Sequence, residues 1–294
     1  MDASTLRVAI LGSGNIGTDL LYKIQRSPHL ECLLFVGRNL DSKGMQTAAS
    51  LGVQVSDKSI DALVERQGSY DLVFDATSAQ DHIKHWPILR SIGKTVIDMT
   101  PSKVGEMCIP AIDAKSVLTS PNINMVSCGG QASVPLAHLI GQTHKNVEYI
   151  EVVSSIASDS AGPATRANID HYIETTEDAL RLFSGAARAK AILNLNPAQP
   201  CIDMQTTVFA IVEKPNLEEL GPLVDTMVRR IQSYVPGYEL LVPPRIDSGR
   251  LVMTVRVQGL GDYLPRYAGN LDIMNCAAIR IAEAYALESS RLYA

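Results

Sequence analysis

The chain has 294 residues, 46% hydrophobic and 19% charged, with 26 Lys plus Arg against 31 Asp plus Glu and a net charge of −5. At about 150 residues per domain this length predicts two domains, and the composition excludes a disordered, collagenous or disulfide-stapled chain. The acidic balance argues against a nucleic-acid binder, and an anionic ligand must be met by local donors. Cys32, Cys108, Cys128, Cys201 and Cys276 form no C-x-x-C pair and are odd in number, so no zinc site, no other metal and no disulfide framework is expected. Free thiols suit a reducing compartment. With no basic, apolar leader and no apolar run of about 18 residues, the expectation is a cytoplasmic protein without a membrane contact.

Leu6 to Leu11 reads as a continuously apolar strand, of the kind buried on both faces of a parallel sheet. Gly12-Ser13-Gly14-Asn15-Ile16-Gly17 follows, then a helical pattern through Leu20, Leu21 and Ile24 that stops at Ser27-Pro28. Cys32 to Val36, Asp71 to Asp75 and Thr95 to Asp98 are further strands, with helix spacing from His82 to Ile92. Alternating strands and helices predict an α/β fold with an N-terminal Rossmann-type, doubly wound parallel sheet. The dinucleotide-binding domain is placed at 1–125, completed by a C-terminal helix at 268–294.

After Val126 the pattern changes. Ala132 to Ile140 reads as a helix, Val147 to Ala157 as a strand, and Arg166 to Phe183 as a polar helix with an apolar stripe at Ile169, Ile173, Leu180 and Phe183. Thr206 to Val212 is a strand, and Leu217 to Val235 an amphipathic helix with Asn216 and Glu219 at capping-box-like spacing. Leu251, Met253, Val255 and Val257 alternate with more polar residues, which predicts a strand covered on one face. Residues 126–267 are expected to form an α+β catalytic and dimerisation domain. From Asn270 a long helix closes the chain.

Gly12-x-Gly14-x-x-Gly17 lies between a strand and a helix. There glycines let backbone approach a pyrophosphate and the helix N-terminus presents free N–H donors. The cofactor-binding expectation covers Gly12, Ser13, Gly14, Asn15, Ile16 and Gly17. The acidic residue usual after the second strand is missing. Gly37-Arg38-Asn39 stands there, and an arginine could meet a 2′-phosphate, so NAD is the first choice and NADP stays open. Cys128 precedes Gly129 and Gly130 and lies just before the helix read from Ala132, where an N-terminal dipole would lower the thiol pKa. A thiolate beside a nicotinamide could attack an aldehyde, pass hydride to the ring and keep the acyl group as a thioester, with backbone N–H groups near Cys128 and Gly129 holding the oxyanion. His82 and His85, at i, i+3, are expected on a solvated helix face, and His138 and His144 as ordinary hydrogen-bonded histidines.

The stretches GSGNIGTDL (12–20), DATSA (75–79), NMVSCGGQA (124–132), SAGPATRANID (160–170), ETTEDA (174–179), VPGY (235–238) and YLPRYAGNLDIM (263–274) extend in this order from Gly12 to Met274. Together they resemble the acylating acetaldehyde dehydrogenases of bacterial aromatic and sterol degradation. The resemblance implies NAD-dependent oxidation of acetaldehyde, or propanal, to the acyl-coenzyme A, with Cys128 as acyl-thioester nucleophile. It implies that Ser13 to Ile16 touch the NAD diphosphate and that Ser160, Ala161, Gly162, Pro163, Ala164, Thr165, Arg166, Ala167 and Asn168 belong to the cofactor site, with Asn270 at the nicotinamide end. It further implies a homodimer contact and a 4-hydroxy-2-oxoacid aldolase partner that channels the aldehyde. The chain departs from the pattern at Thr206, where the family commonly has an aspartate, at Arg38, and in a shorter segment between Pro243 and Arg250. A phosphate-dependent semialdehyde dehydrogenase and a non-catalytic NAD-sensing protein are the alternatives.

Overall fold

A computed structural model of the chain describes residues 5–292. It divides into two compact units, one running to Met125 and including the chain from Asn275, the other Val126–Met274.

The first unit is built on β1 (Leu6–Leu11), α1 (Asn15–Arg26), β2 (Leu30–Val36), α2 (Lys43–Ser50), β3 (Gln54–Ser56), α3 (Ile60–Glu65), β4 (Leu72–Asp75), α4 (Ala79–Ser91), β5 (Thr95–Asp98), β6 (Glu106–Met107), α5 (Pro110–Asp113) and β7 (Asn122–Asn124). Its seven strands are all parallel, in the order β3-β2-β1-β4-β5-β7-β6. β1 is apolar at nearly every position because both its faces are covered: Val8, Ala9, Ile10 and Leu11 are all buried. Ala9 and Leu11 join Leu34, Val36, Val73, Leu89 and Val96 in one cluster under α3 and α4. Each such side chain contributes roughly 1.5–3 kcal/mol on full burial if large. The chain winds outward from β1 to β3 and then returns to β4 on the other side of β1, so the order reverses at the carboxyl ends of β1 and β4. A doubly wound sheet opens a ligand crevice at such a point.

Two buried polar groups hold this unit together. Lys23 Nζ pairs with Asp19 Oδ2 at 3.1 Å, and Asn275 Nδ2 donates to the same oxygen at 2.7 Å and to the Ile16 carbonyl at 3.2 Å, tying the last helix to α1. The second group corrects the expectation for His82 and His85. Neither lies on a solvated face. Nδ1 of each stands 3.0 Å from Asp75 Oδ2, and His82 Nε2 is 3.0 Å from Asn122 Nδ2 and 3.5 Å from Asp98 Oδ2. Asp98 also accepts from Thr100, Ser102 and Asn124. α4 begins earlier than the sequence predicts, at Ala79, because the Ser78 side chain accepts from Asp81 N. The i, i+3 pair faces inward, toward Asp75 and Asp98 at the ends of β4 and β5.

The second unit comprises α6 (Cys128–Thr143), β8 (Val147–Ala157), α7 (Pro163–Ala167), α8 (Ile169–Ser184), β9 (Arg188–Asn196), β10 (Met204–Val212), α9 (Leu217–Gln232), β11 (Tyr238–Asp247), β12 (Arg250–Val257) and the start of α10 (Gly269–Leu292). Its sheet runs β11-β12-β10-β8-β9, antiparallel except for the parallel pair β8–β9, whose crossover contains α8. Along β10, Met204, Thr206, Val208, Ala210 and Val212 are buried, while Gln205, Thr207, Phe209 and Ile211 stay at least partly open. This period-2 pattern belongs to a sheet covered on one face. The single helix read from Arg166 to Phe183 is two, α7 and α8, separated at Asn168.

Candidate active site

In the first unit, the glycine loop takes the shape its spacing predicts. Gly12 has φ +122°, and a Cβ there would stand 2.5 Å from the Ala76 carbonyl oxygen beyond β4. A Cβ on Gly17 would stand 1.9 Å from the Gly12 carbonyl oxygen, so α1 can pack against the loop only with glycine here. Gly14 differs, because a Cβ would meet nothing within 4 Å. Packing therefore does not require glycine at position 14, which is exposed and caps α1 without a side-chain hydrogen bond. Ser13, Asn15 and Ile16 lie in the same turn, Ser13 Oγ facing Ser42 Oγ at 3.4 Å. The free amides of the first turn and the helix dipole suit an anion at this place. Arg38 is exposed just past β2.

In the second unit, Cys128 is the first residue of α6, four residues earlier than the helix read from the sequence. Gly129 and Gly130 are weak helix formers and hide the start, but Ser127 supplies the cap. Its Oγ accepts from Gly130 N at 2.9 Å and bonds Thr176 Oγ1 at 2.7 Å. One residue further back, Val126 is held at φ +63° while fully buried. A β-branched residue in the left-handed region is strained, and such strain is retained where the surrounding structure over-determines it.

The half-buried Cys128 thiol lies among the backbone N–H groups of Cys128 and Gly129 and the Tyr172 hydroxyl, each of which favours negative charge on the sulfur. Burial outweighs these donors and pushes the thiol up to about 12. Desolvation of the sulfur is thus set against the helix N-terminus that favours a thiolate. The two amides named for an oxyanion point at the sulfur itself. The apolar stripe of its helix does not single out Tyr172 on α8, nor does the β-branched run of β8 single out Ser154. Tyr172, 8% exposed, places its hydroxyl 2.0 Å from where a Gly129 Cβ would lie, so glycine alone lets it reach the thiol. Ser154 Oγ in turn is 3.0 Å from Thr206 Oγ1, the two residues being directly paired across β8 and β10. The visible signal was polar residues at the buried phase of two strands and at i, i+4 on the helix, Tyr172 and Thr176.

The other candidates divide clearly. Ser160 ends a short 3-10 turn with its Oγ on the Ala157 carbonyl, and Ala161 and Gly162 lead into α7, which holds Pro163, Ala164, Thr165, Arg166 and Ala167. Arg166 is committed locally: Nε donates to the Ala161 carbonyl and a terminal nitrogen to both oxygens of Ser158, so this arginine braces the 158–161 turn. Asn168 is buried at the start of α8. Asn270, 1% exposed, carries an Oδ1 with no hydrogen-bond partner among the described residues. Asp203 stands outside the Ser154–Thr206 pair and faces Gln258 and Arg256. His138 bonds the Phe183 carbonyl, and His144 accepts from Asn216 N while bonding the Ile140 carbonyl, so both are structural. Among the described residues no helix is long and apolar enough to cross a membrane.

A family model described as the NAD-binding domain of semialdehyde dehydrogenases matches residues 7–125, and one described as the dimerisation domain of prokaryotic acetaldehyde dehydrogenase matches 128–265. An acetaldehyde dehydrogenase of Spirochaeta aurantia is 62% identical over 284 residues, covering 97% of this chain and 96% of its own length. One of Pectobacterium atrosepticum is 59% identical over 280 residues, covering 95% of each chain. One of Burkholderia thailandensis is 49% identical over 280 residues, covering 95% of this chain and 94% of its own. With identity of this order along almost the full length of each pair, the chain belongs to the prokaryotic acetaldehyde dehydrogenase family of NAD-dependent oxidoreductases.

Proposed function

We infer that the chain oxidises acetaldehyde, or propanal, to the acyl-coenzyme A through a thioester on Cys128. The observation that carries this reading is the Cys128 sulfur at the first turn of α6, facing two backbone amides and a tyrosine hydroxyl. The sulfur adds to the aldehyde carbon and its proton passes to the carbonyl oxygen, giving a thiohemiacetal. Loss of hydride from this carbon, for which bound NAD would be the acceptor, and of the hydroxyl proton to solvent re-forms the carbonyl. Cys128 then holds the acyl group as a thioester, and the thiol of coenzyme A displaces it, returning the cysteine. The amides of Cys128 and Gly129 favour negative charge on the sulfur as it adds and again as it leaves.

For the cofactor, the loop Gly12 to Gly17 would hold the diphosphate, and the open space over Gly14 supports a ligand there. Ser160 to Asn168 would line the cofactor site, with Arg166 bracing the turn. The orphaned Asn270 oxygen suits an amide donor such as the nicotinamide carboxamide. Exposed Arg38 leaves NADP as a second cofactor. The half-open sheet face carrying Phe209 and Ile211 would meet a second copy of the chain, in keeping with the dimerisation model matched to this unit. A 4-hydroxy-2-oxoacid aldolase is the proposed partner, and its co-purification with the tagged protein would test that assignment. We place the enzyme in the cytoplasm and in aromatic catabolism on the same resemblance.

Cys128→Ala is expected to abolish acyl-coenzyme A formation and the acyl adduct seen by intact mass, while NAD binding persists. Turnover at the wild-type level in that variant would remove Cys128 from the reaction. Replacing coenzyme A by phosphate in the NADH absorbance assay separates the phosphate-dependent alternative.

A further inference from the structure

We propose that Tyr172 is a catalytic hydrogen-bond donor to the Cys128 sulfur, and that Ser154 and Thr206 are positioning residues that aim its hydroxyl. The inference rests on the reading of Cys128 as nucleophile and adds the group that supports a negative sulfur without a carboxylate.

A chain of donation that ends on the sulfur gives every hydroxyl one direction, and the packing at Gly129, with the Tyr172 hydroxyl 2.0 Å and Ser154 Oγ 3.0 Å from where a Cβ would lie, brings its members together. Each carries one proton to give. In this chain Tyr172 gives its proton to the sulfur and accepts from Ser154 Oγ–H, while the Gly129 N–H lies beside both the sulfur and the phenol oxygen. With its proton given to Tyr172, Ser154 Oγ accepts from Thr206 Oγ1, 3.0 Å away, a contact in which either hydroxyl is able to donate. Donation therefore runs one way, from Thr206 on β10 through Ser154 on β8 and Tyr172 on α8 to the thiol of α6. Ser154 and Thr206 are fully buried and Tyr172 nearly so, which confines each hydroxyl to these partners. Chained donors of one sense polarise one another, and the last bond strengthens most when its acceptor becomes charged. Burial holds the Tyr172 hydroxyl above the ordinary phenol range, so it keeps its proton and acts as donor, not base.

Position 206 explains why a neutral chain stands here. A carboxylate at Thr206 would place a second negative charge two hydroxyls from a sulfur that burial already resists ionising. A threonine hydroxyl at the same strand position completes a donor chain instead. An ordinary buried tyrosine satisfying its own hydroxyl would also sit in this place, and only the second role reaches the titration of the thiol.

The test is the pH profile of iodoacetamide labelling at Cys128, followed on the peptide by mass spectrometry in the full-length protein. Tyr172→Phe keeps the ring and removes the donor; the profile should move to higher pH by about one unit, so that labelling at fixed pH slows about tenfold, while kcat falls and NAD binding is unchanged. Thr206→Val should shift the profile the same way by less. A Tyr172→Phe profile that superimposes on wild type overturns the proposal and leaves Cys128 as nucleophile untouched. Should Tyr172→Phe fold poorly, Ser154→Ala gives the same reading through the lost donor to Tyr172, and an unshifted profile there overturns it equally. Cys128→Ala with full turnover would refute the nucleophile assignment alone, because the labelling shift does not depend on catalysis.

Discussion

Replacing His82 by leucine tests the buried network of the first unit. The imidazole is fully buried between Asp75 and Asp98, both also fully buried, and its loss removes the shared partner of two carboxylates. Burial alone would lower the His82 pKa, but the bond to Asp75 and the charges of Asp98 and Asp75 raise it. Burial likewise works against Asp75, whose bonds to His82 and His85 nevertheless pull it down to about 2, whereas Asp98 stays raised because burial wins there. Removing one partner of a buried ion pair costs about 3–5 kcal/mol. At about 3 °C per kcal/mol for a unit of this size, His82→Leu should melt about 10 °C early by calorimetry at about pH 6. The raised His82 contributes stability that is complete below about pH 6.5 and is lost as pH climbs through its folded value. Asp75 contributes about 2 kcal/mol above about pH 4, lost as pH falls toward 2, but Asp98 works the opposite way on that acid limb. The alkaline limb is therefore the cleaner readout: wild type should lose melting temperature between about pH 6 and 9, and His82→Leu should lose much less. Parallel alkaline losses in the two proteins, or a variant within about 2 °C of wild type at pH 6, would refute the assignment of charge to His82.

Two further outcomes follow from the same structure. Gly14→Ala meets no protein atom and should leave the melting temperature within about 1 °C while weakening NAD binding about tenfold or more by titration calorimetry; Gly17→Ala, driven into the Gly12 carbonyl, should lose both, and unchanged NAD affinity in Gly14→Ala would move the cofactor elsewhere. In the wild type, with the Cys128 thiol pushed up to about 12, alkylation should climb about tenfold per unit from about pH 7 to 10; a plateau below about pH 8 would mean a thiolate already formed.

Local chemistry decided a good deal by itself. Leu6 to Leu11 and Val147 to Ala157 are strands in the structure at the residues their apolar and β-branched runs indicate, and the glycines at 12 and 17 stand where backbone meets backbone. Such features are written in consecutive residues, because a strand's burial and a turn's φ depend on the chain within a few positions. What lay outside that reach was decided by packing. Periodicity put His82 and His85 in solvent, since nothing near them in sequence announces that Asp98, on the following strand β5, packs against His82. The dipole at Cys128 was legible, but the desolvation that opposes it comes from α8 and the sheet, which lie far off in sequence. Tyr172, Ser154 and Thr206 come from a helix and two strands, and they share a hydrogen-bond chain only through the register that sets Ser154 opposite Thr206. One-dimensional spacing carries the period of each element. It does not carry the pairing between elements, and it is pairing that determines which buried polar groups find one another and what charge they can hold.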